Sequence, residues 1–144
     1  MILAIVLIIL SLDQLTKSLV TRNLSLSHSL PLIKGVFHLT LVHNRGAAFG
    51  ILKNQIPLFI FTAILAIFLI YSSLKNNRYG KFYSLSLSLI LAGALGNLID
   101  RSCFGYVIDF LDFRIWPVFN IADSAITIGA ILLGLSILKR KEIN

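Results

Sequence analysis

The stretch Ile56 to Leu74, IPLFIFTAILAIFLIYSSL, runs nineteen residues without one charged side chain. As an α-helix rising about 1.5 Å per residue, it is long enough to cross the roughly 30 Å hydrocarbon layer of a bilayer. Three more runs resemble it. Ile2–Val20 is apolar apart from Ser11, Asp13, Gln14, Thr16, Lys17 and Ser18, Phe82–Ile99 carries no charge, and Val118–Leu138 carries only Asp123. The expected fold is therefore an all-α membrane protein, a four-transmembrane-helix bundle. Its spans lie at about 2–20, 56–74, 82–99 and 118–138, in a single domain over residues 1–144. The first run looks like a signal peptide's apolar region, but no small-residue cleavage site follows it, so it counts as a span.

Composition agrees. The 144 residues are 57% hydrophobic and 13% charged, whereas soluble domains are about 45–50% apolar and about 25% charged. So few charges cannot cover a water-facing surface of this size. The net charge of +7 could suggest nucleic acid, but no basic patch interleaved with aromatics is present, and none is expected as a partner. Membrane topology accounts for the basic residues instead. Cys103 is the single cysteine, which excludes an internal disulfide.

Short loops set the orientation. Lys75, Arg78 and Lys81 crowd the connection between spans two and three, and Lys139, Arg140 and Lys141 follow span four. The positive-inside rule makes both segments cytoplasmic, and with them both termini. Asp100, Asp109, Asp112 and Asp123 then lie at the outer level, Asp13 some two-thirds of the way out along span one, and Glu142 alone inside. Carboxylates near membrane depth are costly unless paired or functional, so chemistry is expected at the outer face.

The outer segment of about 22–55 is expected to be β-rich. Val36–Val42 alternates, with Phe37, Leu39 and Leu41 on one side and His38 and Thr40 on the other. Pro31 and Gly35 mark turns before it. The run Gly46-Ala47-Ala48-Phe49-Gly50 supplies small residues for close backbone approach. Together these suggest a small amphipathic sheet over the helix ends. Ser84, Ser86 and Ser88 read as helix-packing or weak interhelical hydrogen-bonding positions.

The acids divide by their neighbours. Asp13 and Lys17 stand at i, i+4 and can pair on one helix face. Gly93 and Gly96, with Ala92, permit close helix packing next to Asn97. Asp100 has Arg101 beside it, which points to a structural, ionised carboxylate. Asp109 sits in Val107-Ile108-Asp109-Phe110 with no adjacent cation. Asp123 sits in Asn120-Ile121-Ala122-Asp123, where Asn120 as N-cap and Asp123 three residues on also make a capping arrangement. A turn carboxylate accepting backbone N–H bonds is the plainer reading of Asp109.

Fourteen residues separate Asp109 from Asp123, and Pro117 helps turn the chain between them. Two carboxyls held close share a proton, so one can take a proton from water while the other hydrogen-bonds a peptide carbonyl. That is aspartic-protease chemistry, with no metal or cofactor. His28, His38 and His43 form no H-E-x-x-H pair, and no G-x-S-G or G-x-G-D stretch occurs. Cys103 has no evident histidine partner and reads as a core or interface thiol. A small transporter remains a rival, although its acids would sit nearer the midplane, at broken helices. A non-catalytic assembly module is the third.

Five stretches are similar to those of the bacterial lipoprotein signal peptidases (signal peptidase II). They are Asp13-Gln14-Leu15-Thr16-Lys17, Asn44-Arg45-Gly46-Ala47-Ala48-Phe49, Gly96-Asn97-Leu98-Ile99-Asp100-Arg101, Gly105-Tyr106-Val107-Ile108-Asp109-Phe110 and Phe119-Asn120-Ile121-Ala122-Asp123-Ser124. The resemblance spans nearly the whole chain, in the family's order. It implies a membrane aspartyl endopeptidase that removes the signal peptide of diacylglyceryl-modified prolipoproteins at the outer face of the bacterial cytoplasmic membrane. It further implies Asp109 and Asp123 as the catalytic pair, and Asn44, Gly46, Asn97, Arg101 and Asn120 as site-lining positions. Asp13, Lys17 and Asp100 would be structural supports, and a surface sheet cradle would accompany the bundle. The implied partners are lipidated precursors and membrane lipid, with the enzyme working as a monomer. The loop between Asp109 and Asp123 looks short for the family.

Overall fold

A computed structural model describes residues 2–47, 51–75 and 80–141. The Ala48-Phe49-Gly50 part of the small-residue run, Arg78 and Glu142 lie outside the described residues, as do the side chains of Arg140 and Lys141. Four long helices form: α1 (Ile2–Asn23), α2 (Ile56–Lys75), α3 (Lys81–Phe104) and α4 (Ile121–Lys141). Each is long and apolar enough to span a bilayer. Three strands accompany them, β1 (Ser29–Ile33), β2 (Phe37–Asn44) and β3 (Val107–Asp112), in one antiparallel sheet ordered β1-β2-β3.

Helix α3 is the hub and packs on each of the other three. Small residues make this fit. A Cβ on Gly93 would collide with the Ala122 carbonyl, and one on Gly96 would stand 2.6 Å from Asp13 Oδ2. By contrast α2 buries no residue within the chain, so its apolar surface is left for lipid. Ser86 and Ser88 are buried, but their hydroxyls bond to the carbonyls of Phe82 (2.9 Å) and Ser84 (2.7 Å) one turn back in α3. These hydroxyl bonds stay within α3. Cys103 is exposed on the last turn of α3 rather than in a core.

The helix ends differ from the hydropathy limits for local reasons. Helix α3 runs past Ile99 to Phe104 and stops where Gly105 turns left-handed, at φ 74°, with its N–H on Arg101 O. Asp100 and Arg101 thus lie inside the last turns of α3. Helix α4 starts at Ile121 because Asn120 caps it: Asn120 Oδ1 accepts the Asp123 N–H at 2.8 Å.

The sheet lies where α1 and α3 end and α4 begins. Val20, Leu41, Ile108 and Phe110 form its core, with Leu24, Tyr106 and Ile121 against them. Pro31 falls within edge strand β1 rather than at a turn, and an edge strand tolerates the missing N–H. Asp109 lies in β3, not in a loop. Between the pairs Leu39↔Leu111 and Val42↔Asp109, two residues of β2 oppose the single residue Phe110. That one-residue slip swaps faces downstream. It puts Asn44 on the face of Asp109, where an unbroken register would turn it away.

Candidate active site

Two groups of buried acids share the junction of sheet and bundle. The first is held by a cation. Lys17, 2% exposed, places its ammonium 2.8 Å from Asp13 Oδ2 and 2.8 Å from Asp100 Oδ2. Its third bond goes to Asn97 Oδ1, at 3.2 Å. Gln14 closes the cluster by donating to Asp13 Oδ2 and Asp100 Oδ1, each at 3.1 Å. These acids also tie elements together: Asp100 accepts the Ile108 N–H entering β3 (3.0 Å), and Asp13 accepts the Ala122 N–H in the first turn of α4 (2.9 Å). Asp100 therefore pairs with Lys17 and not with Arg101. Adjacent helical residues point about 100° apart, so the neighbour in sequence is not the neighbour in space.

The second group has no such cation at its centre. Asp109, 1% exposed, receives Asn44 Nδ2 on Oδ2 (2.9 Å) and Asn120 Nδ2 on Oδ1 (2.7 Å). Asp123 receives Asn97 Nδ2 on Oδ1 (2.7 Å). Asn120 joins the two, since its amide nitrogen serves Asp109 while its oxygen accepts the Asp123 N–H. The chain between them is clamped shut where Phe119 pairs back onto Leu111, with N···O distances of 2.8 and 3.1 Å. Burial, and next the Asp123 carboxylate, push the Asp109 carboxyl up to about 7, against the hydrogen bonds of Asn44 and Asn120 and the charge of Lys17. Such a group exchanges a proton near neutral pH, as a general acid or base requires.

Both carboxylates line one cavity of about 390 Å³, together with Asn44, Gly46, Asn97 and Arg101. The seven residues assigned to the catalytic pair and the site lining thus converge, with Asn120 buried behind the dyad. Arg101 lies across the cavity wall, its guanidinium 4.8 Å from the Phe59 ring centroid and its Nη2 3.4 Å from Gly46 O. Asp13, Lys17 and Asp100 form the adjoining cluster. Sequence reading gave no role to Gln14, Phe59 or Trp116; of these only Gln14 carried a signal, as a polar residue beside Asp13 inside a span.

An apolar groove of about 540 Å³ meets the cavity. Phe113, Ile115, Trp116 and Phe119 line it, with Asp123, Thr127 and Ile128 of α4. Trp116, Phe119 and Asp123 belong to both spaces.

The model of the signal peptidase (SPase) II family matches residues 5–139. A lipoprotein signal peptidase of Halothermothrix orenii is 50% identical over 144 residues, covering 100% of this chain and 99% of that protein. The lipoprotein signal peptidase of Moorella thermoacetica is 51% identical over 134 residues, covering 91% and 88% of the two chains. Among solved structures, a bacterial membrane enzyme determined by the in meso method superposes with TM-score 0.91 at 36% identity, over 97% of this chain and 88% of that one.

Proposed function

This chain belongs to the signal peptidase II family of multi-pass bacterial membrane proteases, and on that premise we propose an aspartyl endopeptidase worked by Asp109 and Asp123. Its substrates are prolipoproteins carrying a diacylglyceryl-modified cysteine, from which it removes the signal peptide at the outer face of the cytoplasmic membrane. The observation that carries this reading is the meeting of two acids, neither bonded to a cation, in one cavity.

The steps follow from the geometry. The pair holds one proton between two carboxyls, and that proton belongs to the pair. The ionised member takes a proton from a water molecule, whose oxygen attacks the scissile carbonyl carbon. The protonated member hydrogen-bonds the carbonyl oxygen as it gains charge. Collapse of the tetrahedral intermediate breaks the C–N bond, and the leaving nitrogen takes up a proton from the pair. The Asn44, Asn97 and Asn120 amides fix both carboxyls. Arg101 and the Gly46 backbone line the substrate's path.

The lipid anchor explains recognition without a deep polar pocket. Burying acyl methylenes contributes about 0.8 kcal/mol each, and the apolar groove beside Asp123 offers such a surface. The outward placement rests on the basic residues Lys75, Arg78, Lys81 and Lys139–Lys141 at the opposite ends of the spans. Both acids come from one chain, so the pair itself needs no second subunit.

The test is cleavage of a diacylglyceryl-modified prolipoprotein by the protein reconstituted in liposomes. Asp109→Asn and Asp123→Asn are each expected to lower kcat by about 10³-fold or more while the protein still unfolds in one cooperative transition. Normal turnover in either variant rejects the dyad.

A further inference from the structure

Three asparagine amides face the two acids, and each is held in one of its two flips by a donor that cannot reverse. Gly46 N–H donates to Asn44 Oδ1 at 2.9 Å and Asp123 N–H to Asn120 Oδ1 at 2.8 Å, so both amides turn their NH₂ groups to Asp109. For Asn97 the donor is a side chain. Lys17 Nζ lies 3.2 Å from Asn97 Oδ1, and an ammonium offers only protons. Asn120 Nδ2 also donates to that oxygen, at 3.1 Å. With its oxygen so occupied, Asn97 can present only its NH₂ to Asp123, 2.7 Å away. The other two Lys17 protons are taken by Asp13 and Asp100, which keep the ammonium from swinging aside.

We propose that Lys17 is a positioning residue for hydrolysis, locking the Asn97 amide onto Asp123 and setting the pH range in which the pair holds one proton. This rests on the dyad reading above. A lysine present only to neutralise Asp13 and Asp100 would need no third bond to an amide that touches Asp123. Lys17 also acts through its charge, which favours ionisation of Asp109. The charged or titratable groups around the pair are Lys17 and Asp13 from α1, Asp100 and Arg101 from α3, and His43 from β2 with Arg45 and Lys53 beyond it, which line a second cavity against Asp109. The amides of Asn44 from β2 and Asn97 from α3 complete the ring.

The experiment measures cleavage of a diacylglyceryl-modified prolipoprotein by the full-length protein in liposomes, from about pH 5 to about pH 9. Lys17→Met is compared with Asp13→Asn/Lys17→Met, which keeps the cluster's net charge and guards against loss of the fold. In whichever variant melts like the wild type, kcat is expected to fall about tenfold or more with KM within about twofold. In Lys17→Met the pH profile is expected to move upward by roughly half to one unit, since a positive charge near Asp109 is gone, and in the double variant by less. In an Asn97→Ala background, the same Lys17 change should cost less than about threefold, because the amide it positions is absent. An unmoved profile in folded Lys17→Met overturns the proposal, as does, in either folded variant, an equal loss with and without Asn97. Asp109→Asn in the same assay separates the two levels. If it cleaves, the dyad reading falls and the role of Lys17 with it; if it is inactive while the Lys17 profile stays put, only the role of Lys17 falls.

Discussion

The chain buries two pairs of aspartates side by side and treats them in opposite ways. Asp13 and Asp100 share an ammonium at 2.8 Å from each. Asp109 and Asp123 receive amides, and the nearest lysine reaches them only through Asn97. Both pairs are satisfied by hydrogen bonds, so polar satisfaction does not tell them apart. Charge does. A carboxylate bonded to a cation serves as a tie, whereas two acids that face each other without such a bond repel when both are charged. In a membrane protein, where a bare charge is costly at depth, that difference is what the proposed dyad rests on.

The sharpest way to break this contrast is to remove the cation. Lys17→Ala leaves Asp13 and Asp100 as an uncompensated buried pair and should destabilise the protein by about 3–5 kcal/mol, read as thermal unfolding in detergent. A melting temperature equal to the wild type's would erase the distinction. Asp109 should behave in the opposite sense. Its carboxyl is raised to about 7, so its contribution is fully present below the ordinary carboxylate value and is lost as pH rises through about 7. Asp109→Asn should therefore gain stability relative to wild type between about pH 4 and pH 8, by up to about 4 kcal/mol. A gap between the two melting curves that does not change with pH would contradict this. The smallest effect is expected outside both pairs. Although burial works against it, hydrogen bonds from Thr40 and Arg114 hold the Asp112 carboxyl below its ordinary range. The half-exposed Arg114 pairs with it at 3.1 Å. Arg114→Ala should cost less than about 1 kcal/mol and leave cleavage intact; a larger loss would place Asp112 among the essential acids.

What was legible in the sequence followed from local rules. A run such as Ile56–Leu74 has few fates outside a bilayer, and the i, i+4 spacing of Asp13 and Lys17 anticipates their ion pair. Strand β2 was visible through its alternation, though its limits moved from 36–42 to Phe37–Asn44. Strand β3 was not. Four of its first residues, Val107 to Phe110, are buried on both faces, so no period-two pattern survives to announce it. The partner of Asp100 was also hidden, because Lys17 lies 83 positions away in the chain while Arg101 lies beside it. The bulge that swings Asn44 toward Asp109 has no turn residue to mark it. Long-range pairing decided each of these cases, and only the fold supplies it.

The most direct measurement is infrared spectroscopy of the carboxyl C=O stretch in the reconstituted protein as pH is varied. The wild type should show a protonated-carboxyl band that disappears as pH rises through about 7, and that transition should be lost in Asp109→Asn and moved to lower pH in Asp123→Asn. A band that titrates unchanged in both single variants, or no such band near neutral pH, would contradict a shared proton between Asp109 and Asp123.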